Sequence, residues 1–227
     1  WGRCDAMKYL FLHNPKCAGS TVHSYLPEEK WHNLIAPLSS RNYSSDQAKK
    51  AMALGYHCKP HHYNLEQHKN MEFFDQEEFS KAWKFTYVRN PFDRVVSAYH
   101  YSRDTYDGSS SDYDPKSFAS FVNSLQDNVL SKKYYEWLGP VQPNHVSPQD
   151  LYDSEGVAIP DYVGRHETFD FDTKNILDHL GFDIPEKIAV VNATPKRKNY
   201  RKYYDVSTRK IIEKTYEKDL NLFKYEF

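Results

Sequence analysis

Cysteine, glycine and net charge are all in short supply. Three cysteines, Cys4, Cys17 and Cys58, are an odd and sparse set that makes neither a disulfide framework nor a metal cluster. No apolar run approaches the roughly 20 residues that cross a bilayer, and no opening stretch has the charged, apolar and small-residue order of a signal peptide. The segment is therefore expected to be soluble and to make no membrane contact. A catalytic domain excised from an anchored protein would read the same way. A formal net charge of -1 argues against a strongly basic nucleic-acid binder, although a neutral total can still contain a local basic groove. Glycine is missing where a nucleoside triphosphatase needs it: that loop places its lysine after the glycines, in G-x-x-x-x-G-K-[ST]. Here Lys16 comes before Gly19, in NPKCAGST.

What is present is a chain of 227 residues, enough for one sizeable core, and a single domain over 1–227 is expected. Nineteen tyrosines serve equally as amphipathic core edges or as the lining of a sugar or nucleobase site. Lys8 to Leu26, KYLFLHNPKCAGSTVHSYL, reads as a short buried strand, a tight loop and the first turns of a helix that Pro27 stops. That build makes an anion cradle, because the orphan N–H groups of a helix start and the positive end of its dipole face the loop. Lys16 adds a mobile cation, Gly19 allows close backbone approach, and Ser20 and Thr21 add hydroxyls. Cys17 lies where a helix start lowers a thiol's pKa, so a nucleophilic thiolate is one expectation and a small apolar filler the other.

Lys84 to Tyr101, KFTYVRNPFDRVVSAYHY, repeats the strand, turn and helix, with Arg89 at the strand end, Pro91 in the first helical turn and Ser97 inside the helix. Two such strand ends suit a ligand with two separated anionic groups. Asp93 and Arg94 are expected to brace the loop, since a carboxylate aimed at a phosphate would repel it.

Together these segments resemble those of the sulfotransferases that use 3'-phosphoadenosine-5'-phosphosulfate, in particular the carbohydrate branch that includes the heparan sulfate 2-O-sulfotransferases and their bacterial relatives. The resemblance implies an α/β, P-loop-like three-layer fold with a central parallel sheet flanked by helices. It implies that donor and no required metal, and both cytoplasmic and Golgi-lumenal settings fit it. The loop residues Lys16, Cys17, Ala18, Gly19, Ser20 and Thr21 would hold the 5'-phosphosulfate, and Arg89 and Ser97 the 3'-phosphate. Arg165, in YVGRHETF, would lie close to the nucleotide, although His166 stands where relatives commonly have an apolar aromatic. Lys196 and Arg201, in a run with five basic residues between 196 and 202, would cover the nucleotide or hold an anionic glycan.

A base for the acceptor hydroxyl is expected between the two motifs, in GYHCKPHHYNLE. His57, His61 and His62 all qualify because imidazole titrates near operating pH, and Glu66 is the carboxylate reserve. Their spacing matches neither a helix pair nor a knuckle of a zinc site, and Lys59 sits among them. His145 and Gln149, in NHVSPQDLY, resemble the segment that approaches the acceptor. The resemblance implies a hydroxyl of a glycan or polysaccharide as the acceptor, with a small alcohol, phenol or amine as the alternative. A phosphoryl-transfer enzyme or a silent glycan-binding protein on the same scaffold are the alternatives, and oligomeric state is open. Further elements are expected as helices over Ser45–Leu54, Phe92–Ser102, Ser117–Leu138 with a break near Asp127 and Asn128, Phe171–Leu180 and Ser207–Leu222, and as an apolar strand over Lys187–Val191. Two N-x-[ST] sequences, at Asn42 and Asn192, would matter only in a secretory lumen.

Overall fold

A computed structural model describes residues 9–26, 45–54, 70–72, 76–105, 117–130, 145–149, 151, 159–191 and 197–227. The candidate bases His57, His61 and His62, the reserve Glu66, and Lys196 lie outside the described residues.

Three apolar runs become strands: β1 (Tyr9–Leu12), β2 (Trp83–Val88) and β3 (Tyr162–Arg165). They form one parallel sheet in the order β1-β2-β3, with Phe11 beside Phe85 and Phe85 beside Tyr162. Parallel strands need crossovers, and helices supply them. Between β1 and β2 come α1 (Gly19–Tyr25), α2 (Ser45–Ala53) and α3 (Gln76–Lys81). Between β2 and β3 come α4 (Pro91–Thr105) and α5 (Phe118–Leu130). After β3 follow α6 (Phe169–His179), α7 (Val206–Thr215) and α8 (Glu217–Phe223).

Side chains alternate across a strand, so β2 feeds two cores. Phe85 and Tyr87 pack with Val22 of α1 and Ile176 and Leu177 of α6. Val88, out of phase with Tyr87, packs with Leu151 and Phe223 of α8. A further core joins Phe92, Val95, Val96 and Tyr99 of α4 to Phe121, Val122 and Leu125 of α5 and Ile212 of α7. The sheet flanked by helices is the α/β architecture the sequence implied.

Three expectations are corrected. Lys187–Val191 is not a strand: side chains take its amides, with Ile188 N–H donating to Asp170 Oδ1 (2.9 Å), Ala189 N–H to Tyr25 Oη (2.6 Å) and Val191 N–H to Thr21 Oγ1 (2.9 Å). Only Ile188 of that run is buried, so its hydrophobicity served one anchor. α5 runs unbroken through Asp127 and Asn128, because weak helix propensity yields to the buried stripe at Phe118, Phe121, Val122 and Leu125. The last helix is two. Tyr216, fully buried with its hydroxyl donating to the Val146 carbonyl, turns the chain between α7 and α8. α7 begins with a reciprocal capping box, Asp205 with Thr208.

Candidate functional site

The loop after β1 and the turn after β2 emerge side by side at the carboxyl ends of adjacent parallel strands, where open α/β sheets place their ligand crevice. Lys16 and Ala18 both have φ 67°, in the left-handed region that non-glycine residues enter at a cost of roughly 1–3 kcal/mol. Surrounding bonds determine that shape. Arg89 Nη1 donates to the Lys16 carbonyl at 3.0 Å, and Arg94 Nε to the Pro15 carbonyl at 3.0 Å. The Ala18 carbonyl accepts from Thr21 N–H at 2.9 Å and Val22 N–H at 3.2 Å, which starts α1. The amides of Gly19 and Ser20, in the first turn, have no carbonyl four residues back within the helix to bond. At Gly19 a Cβ would lie 2.1 Å from His13 Nε2, so a larger residue there would have to displace that ring.

Lys16 is half-buried, with Nζ 4.1 Å from the centroid of the Tyr101 ring. Burial, and then the cations of Arg89 and Arg94, pull its pKa from 10.5 down to about 8. Cys17 departs from the thiolate expectation. It is 1 % exposed, its Sγ lies 3.5 Å from Gln149 Oε1, and burial pushes the thiol up to about 12. The helix start does not outweigh that desolvation, so Cys17 is a core residue whose backbone alone is available to the loop.

Arg89 is buried, and its guanidinium meets Asp93 one turn into α4: Nε and Nη2 lie 2.8 and 2.7 Å from Oδ2. Arg197 reaches the same carboxylate from the basic run, with Nη2 2.6 Å from Oδ1. Burial alone would raise the Asp93 pKa; the two guanidiniums more than offset it and hold the carboxyl below its usual range. One anion between two cations leaves this end of the site positive. Of Arg89's five N–H groups, the bonds to Asp93 and Lys16 use three, and among the described residues no bond takes the other two. Ser97 is half-buried one turn beyond Asp93, and Tyr101 one turn beyond that, so all three share a face of α4. His166 faces the same group. Burial, then the Arg89 cation, lowers its imidazole to about 4, so it is neutral at pH 7.

Gln149 is 1 % exposed and is a structural hub: Oε1 accepts from Asn14 Nδ2 (2.8 Å) and Arg89 N–H (3.0 Å), while its own N–H donates to Asp219 Oδ2 (2.9 Å). It ties both strand ends to α8. His145 is also buried, edge-on to Tyr101 at 5.2 Å. Arg165 donates to the Phe223 carbonyl at 2.7 Å and stacks on Tyr225, which commits it to the C-terminal helix. Arg201 is exposed over the rings of Tyr200 and Phe227. Thr21 is fully buried, with Oγ1 bonded to Val191; Ser20 is exposed beside the loop. Arg197 and Tyr101 were not singled out from the sequence. The basic run and the four-residue spacing Asp93, Ser97, Tyr101 were the available signals.

A family model described as "Sulfotransferase family" matches residues 3–226. No curated protein and no solved structure matches the chain.

Proposed function

The chain belongs to the sulfotransferase family, and from that premise we propose that it moves a sulfuryl group from 3'-phosphoadenosine-5'-phosphosulfate to a hydroxyl of a glycan. The observation that carries this reading is the pairing of two anion-suited strand ends. Lys16 and the α1 amides lie at one, Arg89, Arg197 and Ser97 at the other, and the 3.0 Å bond from Arg89 to the Lys16 carbonyl joins them. A donor with a phosphosulfate and a separate phosphate has the matching two-ended charge.

In this reading the loop amides from Cys17 to Ser20 orient the 5' end of the donor, with the Ser20 hydroxyl beside them. The Lys16 ammonium neutralises charge that develops on the departing phosphate oxygen. Arg89 supplies its two remaining N–H groups to the 3'-phosphate, with Arg197 and Ser97 beside it. Asp93 keeps the guanidiniums aligned without cancelling their joint charge. His57, His61 or His62 takes the acceptor proton as sulfur moves in line to the hydroxyl oxygen. Fixed cations and amides supply the electrostatics, so no step calls on a metal. Lys196 and Arg201, as cations, serve to neutralise the 3'-phosphate or to hold an anionic glycan.

The test is to supply the donor with polysaccharides, simple sugars, alcohols, phenols and amines and to follow 3',5'-bisphosphate. Release that depends on a sugar acceptor supports the proposal. Release only with a phenol, alcohol or amine would replace the glycan by a small molecule. Magnesium-dependent turnover of a nucleoside triphosphate, with none of the phosphosulfate, would overturn the reaction itself.

A further inference from the structure

Lys16 carries its charge into a region already crowded with cations. Arg89, Arg94 and Arg197 all act on it, and among the described residues no carboxylate forms an ion pair with its ammonium. A ring meets it instead: Nζ stands 4.1 Å from the centroid of Tyr101. That ring is itself oriented, because the buried His145 packs against it at 5.2 Å and an interplanar angle of 80°. Tyr101 is 39 % exposed, so the fold does not need it as core, and it shares the α4 face of Asp93 and Ser97.

We propose that Tyr101 is a positioning residue for Lys16, whose π face holds the ammonium beside the loop through a cation–π contact and releases it to the oxygens of an incoming donor. The physical choice is between two kinds of partner. A carboxylate in this place would hold the lysine more strongly but would repel a phosphosulfate. An aromatic face attracts the cation through its quadrupole and adds no net charge to the site. It also suits a four-carbon side chain with many rotamers, because a broad face restricts the head without fixing one hydrogen-bond direction. The inference rests on Lys16 acting as the leaving-group cation of the proposed reaction.

The test reads Lys16 directly. The protein without substrate is labelled with acetic anhydride across a pH series, and acetylation of Lys16 is followed by mass spectrometry in the wild type and in Tyr101→Phe, Tyr101→Leu and Tyr101→Trp. The ring stabilises the charged lysine, so its loss lowers the lysine pKa. Tyr101→Phe should match the wild type, Tyr101→Leu should titrate about half a pH unit lower, and Tyr101→Trp, with the stronger π face, should titrate higher. Arg89, Arg94, Arg197 and Cys17 act on Lys16 and His145 packs against the ring; all five are the same in the four proteins, and because a larger ring buries the ammonium more and so would lower its pKa, a higher titration in Tyr101→Trp separates the ring's attraction from its burial. In turnover, the Leu variant should lose kcat by about 2- to 5-fold with the donor KM nearly unchanged. Equal titration in Leu and wild type, or a Phe variant that behaves as Leu, overturns the proposal; if the Leu variant does not fold, a Trp variant titrating no higher than wild type does so. Should the titrations shift as expected while no acceptor elicits bisphosphate release from the wild type, the contact stands and the proposed reaction falls.

Discussion

At Lys16, burial and neighbouring guanidiniums act in the same direction and bring a lysine to about 8, within reach of ordinary assay conditions. In the proposed reaction the protonated form is the useful one, so activity should be lost as pH rises through that value. The alkaline limb of kcat/KM, which reports the free enzyme, should fall near pH 8, whereas the limb of kcat should lie higher because a bound anionic donor favours the ammonium. Lys16→Ala should reduce kcat by about 10²- to 10³-fold, the scale of losing one preorganised charge-stabilising donor. Arg89→Ala should both weaken donor binding and lower kcat, since in the proposed site the guanidinium that holds the Lys16 carbonyl also meets the phosphate end. His166 makes a stability prediction of its own. Its folded pKa of about 4 lies below the ordinary 6.5, so between those values the unfolded chain binds a proton that the folded chain refuses. Stability should fall as pH drops from about 6.5 toward 4, and His166→Phe should flatten that slope in urea unfolding midpoints measured at pH 7 and pH 5.

The element scale turns on how β1 meets α1 and how Gln149 binds three parts of the fold. Gly19→Ala adds a Cβ 2.1 Å from His13 Nε2 and should destabilise by about 1–3 kcal/mol. Combining it with His13→Ala should recover part of that loss, a coupling that a double-mutant cycle of unfolding free energies measures. Gln149→Leu leaves the buried Arg89 N–H without its acceptor and the Asn14 amide with the Tyr87 carbonyl alone, and should lower stability by about 2–3 kcal/mol. Acceptor KM should change little, which separates a hub from a substrate contact. These contacts also show what the sequence could reveal. The strand, loop and helix at each motif were legible because apolar runs, Pro91 and the position of Lys16 are local signals. The role of Gln149 was not, since its partners lie 135 and 60 residues away in the chain. Lys187–Val191 misled for a related reason: its composition is that of a strand, but the Asp170, Tyr25 and Thr21 side chains that take its amides are distant in sequence.

Across the molecule, the candidate site gathers the ends of β1 and β2, one face of α4 and Arg197 from the segment before α7. Its positive end is built from residues more than 100 positions apart, Asp93 and Arg197, which is why a run of basic residues did not disclose which one turns inward. A ligand that binds only this assembled form stabilises the fold. Adenosine 3',5'-bisphosphate at about 100 times its Kd should therefore add about 2.7 kcal/mol, read as a rise in Tm, and Arg197→Ala should diminish the rise at the same concentration. Adenosine 5'-monophosphate, without the second anionic end, should give a smaller one. The most direct measurement is transfer of radiolabelled sulfur from the phosphosulfate donor to a polysaccharide acceptor, in the wild type and in Lys16→Ala. The predicted result is label in the acceptor matched by release of 3',5'-bisphosphate, with transfer in Lys16→Ala reduced by the 10²-fold or more expected above. Donor consumed no faster with any acceptor than without one, or transfer by Lys16→Ala at the wild-type rate, would contradict it.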